Sequence, residues 1–268
     1  MTRNLTLNKS LYLLTGVLAI LAALIGVLNP EMYEPVVIAR IIRGVFSQDL
    51  VVIVGSVLML VLALGMRRDS HCKAVVILGI LGFLFYGYGI YAMEQVYTAL
   101  YPLYLAILAL SFYTLALSLA SLDHTAIEDL SLPPVVRYGS AAYGIFIAVI
   151  FNIIWIGQLI PLLRTHDRIE NTFSVFVIDL VFIMPSFVIT AYLTTRNRAL
   201  GIVGLRALFI VAVGILSPLA LAELLKPIRY GLPMIPGDFW LWFILSVVFL
   251  IFTIVYLAAL RPSERAPE

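Results

Sequence analysis

The residues with chemistry to offer are polar side chains set inside long apolar runs, and Asp179, in SVFVIDLVFIMPS, stands first among them. A charge at membrane depth costs on the order of a few kcal/mol unless it faces protein or water, so a carboxylate there has either a task or a partner. It binds a cation, takes a proton or holds a polar substrate; or it is a buried anion, paired with an Asn, Tyr or Arg, that pins helix packing. Thr172, Asp179 and Ser186 recur every seven residues, which places them near one helical face. Pro185, on the following turn, frees a carbonyl and bends the axis.

Asn152 falls at nearly the same depth, since the rise from Tyr138 is roughly 21 Å. Ser140, Gly144 and Ala148 lead to it at four-residue spacing, a small-residue seam for close helix approach, so Asn152 is expected to face protein. In FYGYGIYAMEQVY, Tyr88, Tyr91 and Gln95 share one face while Tyr86, Glu94 and Tyr97 share another. Aromatic residues near an interface usually form a belt, but Tyr86 is too deep for one, and Asn152 or Asp179 would satisfy its hydroxyl. Ser111, Thr114, Ser118 and Ser121 make a stripe suited to interhelical packing. Arg206, inside another run, is expected to snorkel to the nearer interface. Asp49, Glu94 and Glu223 are expected to join Asp179 in an acidic outer vestibule that attracts cations. The candidate ligand-binding set is Asp179, Asn152, Tyr86, Tyr91, Asp49, Glu94 and Glu223.

Other chemistry is thinly represented. Cys72 is the single cysteine, which excludes an intrachain disulfide and multi-cysteine metal motifs. His71, His124 and His166 fall in loops on two sides of the apolar runs, which does not support paired haem ligation. There is no Walker loop, GxSxG or HExxH, and a carboxylate-pair protease would need a second buried Asp beside Asp179. No catalytic residue, metal ligand or cofactor is assigned, and the balance leans away from an enzyme. A net charge of +2 with basic residues scattered in pairs offers no nucleic-acid patch.

The elements that must position these groups follow from composition. Of 268 residues, 63% are hydrophobic and 12% charged, with a mean hydropathy of +1.08, too little charge to solvate a globular surface. The fold class is all-α, a polytopic transmembrane bundle in a single domain. Eight runs are long enough to cross about 30 Å of hydrocarbon, approximately 11–28, 50–66, 74–93, 101–122, 138–163, 172–194, 199–225 and 239–260. Only Glu94 to Leu100 separates the third from the fourth, leaving a seven-helix count open, although Pro102 favours a break. The first run is too long, and lacks the small-residue cleavage site, for a removed signal peptide. VVIARIIRGVF, with Arg40 and Arg43 at helical spacing, reads as an interfacial helix over 35–47. Lys and Arg favour the loops on the N-terminal side, with pairs at Arg67–Arg68 and Arg196–Arg198, which places both termini in the cytoplasm.

The stretches SQDLVVIVGSVLMLVLALGMRR, GFLFYGYGIYAMEQVYTALYPLYLAILALSFYTL and VIDLVFIMPSFVITAYLTTRNRALG resemble a group of uncharacterised multi-pass membrane proteins of bacteria and archaea. The likeness covers roughly Gln48 to Gly201 and rests on Gln48-Asp49, Arg67-Arg68, Tyr86, Tyr88, Tyr91, Asp179-Leu180 and Pro185. In that group an Asn commonly stands between the first two tyrosines; Gly87 stands there here, which removes a polar ligand. The resemblance implies a prokaryotic cytoplasmic membrane and supplies no reaction. Three functions fit the residues: a carrier or small-ligand binder with a polar pocket in the outer half, open to a cation or small polar ligand; an accessory or sensor subunit docking another membrane protein; and a lipid- or quinone-handling membrane enzyme.

Overall fold

The computed structural model describes residues 4–37, 42–67, 70–123, 127, 130–167, 173–259 and 261–262. Among these, eight helices are long and apolar enough to cross a bilayer: α1 (Leu5–Leu28), α2 (Ile42–Leu64), α3 (His71–Met93), α4 (Tyr101–Ala120), α5 (Pro134–Thr165), α6 (Phe173–Thr195), α7 (Ala199–Tyr230) and α8 (Pro236–Ala258). Leu, Ile, Val and Ala fill them, and in lipid the helix satisfies every backbone group that such side chains leave dry. The chain is a multi-pass membrane protein. Proline opens α4, α5 and α8, where a missing N–H costs nothing. Left-handed residues close α5 at His166 and α7 at Gly231. A third, Gln95, follows α3 with φ of 57°, and together with Pro102 it separates α3 from α4, which settles the count at eight.

The expected interfacial helix over 35–47 does not stand apart. Residues 42–47 are the first turns of α2, while 38–41 lie outside the described residues. A short 3₁₀ turn, Pro30–Tyr33, links α1 to this region, and a two-residue antiparallel pair joins Leu130–Ser131 to Arg261–Pro262 at the opposite end.

The bundle is built around α3, whose span is 83% buried against 11% for peripheral α5. Gly79 and Gly82 let α7 approach it: a Cβ on Gly82 would stand 2.6 Å from Val211 Cγ2, and one on Gly79 would stand 3.0 Å from the carbonyl oxygen of Ala207 and collide with Ile210. Gly79→Ala should therefore cost about 1–3 kcal/mol through overpacking, read as a lower melting temperature in detergent. Gly139→Ala, where a Cβ meets nothing within 4 Å, is the matched control and should not fall. The α4 stripe packs on α1: Tyr12 and Ser118 share a hydrogen bond of 2.8 Å, and Asn8 donates to Ser121 at 2.9 Å.

Two departures from the sequence expectations matter for function. Arg206 does not reach water: it is 1% exposed, with its guanidinium 4.1 Å from the centre of the Tyr256 ring. In α6, residues Asp179–Ile183 form a π turn in which the Met184 N–H bonds the Asp179 carbonyl. Pro185 explains it, because its ring crowds the preceding turn and its absent N–H leaves a carbonyl unmet, and widening the turn relieves both. The extra residue breaks the seven-residue repeat, so Asp179 lines the cavity described below and Ser186 does not. Thr172 lies outside the described residues.

Candidate functional site

A cavity of about 580 Å³ opens at the end of the bundle where α1 stops and α2 begins. Gly44, Val45 and Gln48 of α2 form one wall and Tyr86 to Tyr91 of α3 the floor. Phe151, Trp155 and Gln158 of α5 face them across the first turns of α6, and Pro218 of α7 and Trp242 of α8 complete the enclosure. The lining is mostly apolar and aromatic rather than the polar pocket expected.

Among the described residues its one carboxylate belongs to Asp179, which is 6% exposed. Asp179 Oδ2 accepts a hydrogen bond from the Trp155 indole N–H at 2.8 Å, and the Tyr86 hydroxyl lies beside the same carboxylate. The Trp155 ring is held in turn by an edge contact with Phe176, at 5.2 Å between centroids. With only neutral groups beside it, the carboxylate still offers unused lone pairs. Among the described residues, no Lys, Arg or His lines the cavity. Nor does the Gln48 amide have a hydrogen-bond partner among them; it occupies the notch left by Gly87, where a Cβ would run into its Nε2.

Tyr91 connects the cavity to a second buried cluster. Asp49, 2% exposed, accepts from Tyr91 at 3.1 Å and from Tyr33 at 2.8 Å. The hydroxyls of Tyr33 and Tyr104 lie 3.3 Å apart, and Thr98 donates to Tyr104 at 3.3 Å. Burial, followed by the Asp49 charge, holds the Tyr33 phenol far above its ordinary pKa, so it stays a donor at any ordinary pH.

The structure thus brings three of the seven candidates, Asp179, Tyr86 and Tyr91, to one cavity. Asp49 stands behind it through Tyr91. Asn152 spends its amide on the Ala148 carbonyl of its own helix at 2.7 Å, and its neighbours Phe151 and Trp155 are the residues that line the space. Glu94 caps α6, accepting from the Ser174 N–H at 2.9 Å and the Ser174 hydroxyl at 2.5 Å. Glu223 pairs with Lys226 and accepts from the Ile235 N–H at 3.1 Å, which ties α7 to the start of α8. The four acids therefore form no common vestibule, since each is engaged in its own local set.

Sequence reasoning missed Trp155, Gln48, Tyr33 and Tyr104. Trp155 lies three residues from Asn152, so the face that pointed to Asn152 also carried an indole N–H in need of an acceptor. No family model, no curated protein and no solved structure matches this chain, so its fold and its site stand on their own geometry.

Proposed function

We propose that this chain is a non-catalytic membrane protein that binds a small amphiphilic organic cation, the apolar body against the aromatic walls and the ammonium beside Asp179. The observation that carries this is a buried carboxylate with neutral donors only, at the wall of an aromatic cavity that presents no cationic side chain. Ring faces attract cations, most strongly when water is excluded, and Tyr86, Trp155 and Phe176 surround the carboxylate. The cavity volume lies within the range of drug-sized sites. The Lys and Arg bias supports the outer side of the membrane for the cavity, and the resemblance noted above supports a prokaryotic cytoplasmic membrane. The π turn ahead of Pro185 and the proline at position 218 inside α7 flank it and supply points at which a carrier's helices bend, which favours a carrier over a docking subunit.

The test uses two probes of one shape. Benzyltrimethylammonium should raise the melting temperature of the detergent-purified protein, and the neutral isostere neopentylbenzene should do so far less. Equal stabilisation by both would sink the cation reading and favour a pocket for neutral lipid or quinone. Uptake of the labelled cation into proteoliposomes then separates a carrier from a binder.

A further inference from the structure

Arg206 raises a separate question at the opposite end of the bundle. It sits seven residues into α7, roughly 10 Å in from the helix start, and its side chain reaches back toward the helix ends. The guanidinium lies under Tyr256, two residues before the end of α8, and near Cys72 at the start of α3. Arg137, in the first turn of α5, stands at the same end, within electrostatic range of Tyr256. That hydroxyl lies beside Thr194 but not in hydrogen-bonding geometry with it.

Four buried donors at this end have no acceptor among the described residues: Nε and Nη2 of Arg206, Nε of Arg137 and Oη of Tyr256. No carboxylate of the described residues pairs with either arginine. Arg137 is half-buried and gives its Nη2 to the Tyr138 hydroxyl at 3.1 Å, but Arg206, fully buried beside an unpaired phenol, forfeits its hydration, an arrangement that is stable only with an anion or water beside it. Guanidinium forks and a phenol suit a tetrahedral oxyanion, which offers several acceptor oxygens and up to two charges. Arg67, Arg196 and Arg198 stand exposed at the same end and would draw anions toward it.

We propose that this end of the bundle binds a phosphate group, either free inorganic phosphate or the phosphomonoester headgroup of a lipid, between Arg206, Arg137 and Tyr256. The site is independent of the cation cavity, which lies at the far end of α7.

Two arms of one experiment distinguish the sources, both on full-length protein in neutral maltoside detergent. Equilibrium dialysis measures labelled inorganic phosphate. Native mass spectrometry measures dioleoylphosphatidic acid, with dioleoylphosphatidylcholine as reference. At least one arm should saturate at one phosphate group per chain. Arg206→Gln should weaken it at least about tenfold and Arg137→Gln about fivefold, as charge-assisted hydrogen bonds are lost. Tyr256→Phe, which keeps the ring over Arg206, should weaken it about threefold, and Asp179→Asn should leave it unchanged. Saturation by inorganic phosphate identifies the free anion; saturation by phosphatidic acid alone identifies the headgroup. Absence of saturable binding in both arms, or binding untouched by Arg137→Gln and Tyr256→Phe, overturns the proposal and leaves water as the partner of these donors. The last two variants decide the matter even if Arg206→Gln does not fold.

Discussion

Asp179→Asn should weaken benzyltrimethylammonium binding about 30- to 100-fold, equivalent to roughly 2–3 kcal/mol. The substitution keeps the shape of the side chain and removes only its charge. It also turns one oxygen into an NH₂ group, which the donor-only Trp155 N–H cannot accept, so the amide must keep its oxygen toward the indole. Trp155→Phe keeps the carboxylate but loses its orienting bond and the strongest ring face, and should cost about 5- to 10-fold. Asn152→Ala is the informative control, because that amide is spent within its own helix, and affinity should stay within about twofold. Titration calorimetry in detergent reads all three. An Asp179→Asn protein that binds as tightly as wild type would make the carboxylate structural and end the cation reading.

Gly26→Ala should be strongly destabilising. The new Cβ would overlap both the Asp49 carboxylate and the Tyr33 hydroxyl. Neither can withdraw cheaply, since Asp49 is held by Tyr33 and Tyr91, and Tyr33 also contacts Tyr104. Displacing the carboxylate leaves a buried charge short of donors and tyrosine hydroxyls without their acceptor, an expected loss of about 3–5 kcal/mol. Thermal unfolding in detergent would show it, and Gly139→Ala serves again as reference. A Gly26→Ala protein that melts with wild type would mean that α1 slides freely against α2 there, and that the Asp49 cluster is no rigid support for the cavity.

The bundle was legible because an apolar run of membrane length has few alternatives to a helix, and because polar residues within such runs announce themselves. Asp179, Tyr86 and Tyr91 were found in that way. What stayed hidden was pairing. Trp155 read as one more apolar residue, since the role of its N–H depends on which helix faces α5 and no periodicity states that. Tyr33 and Tyr104 sit at helix ends, where tyrosine is ordinarily a membrane belt, so nothing in their spacing marked them as ligands of Asp49. Depth arithmetic placed Arg206 correctly along α7 and still misjudged its surroundings, because rise per residue says nothing of a ring from α8 lying over it. The acidic vestibule failed for a similar reason: Glu94 and Glu223 share an end of the bundle with Asp179, but a capping N–H and a lysine three residues away engaged them first.

The wide turn in α6 also fixes how one half of that helix is rotated against the other. If the same residues were wound as ordinary α-helix, the half of α6 ahead of the turn would swing by roughly 100° against the rest. Asp179 would then turn away from Trp155. Where the carboxylate points is therefore set by the one extra residue that the turn ahead of the proline takes up, and not by any change in the side chains that line the cavity.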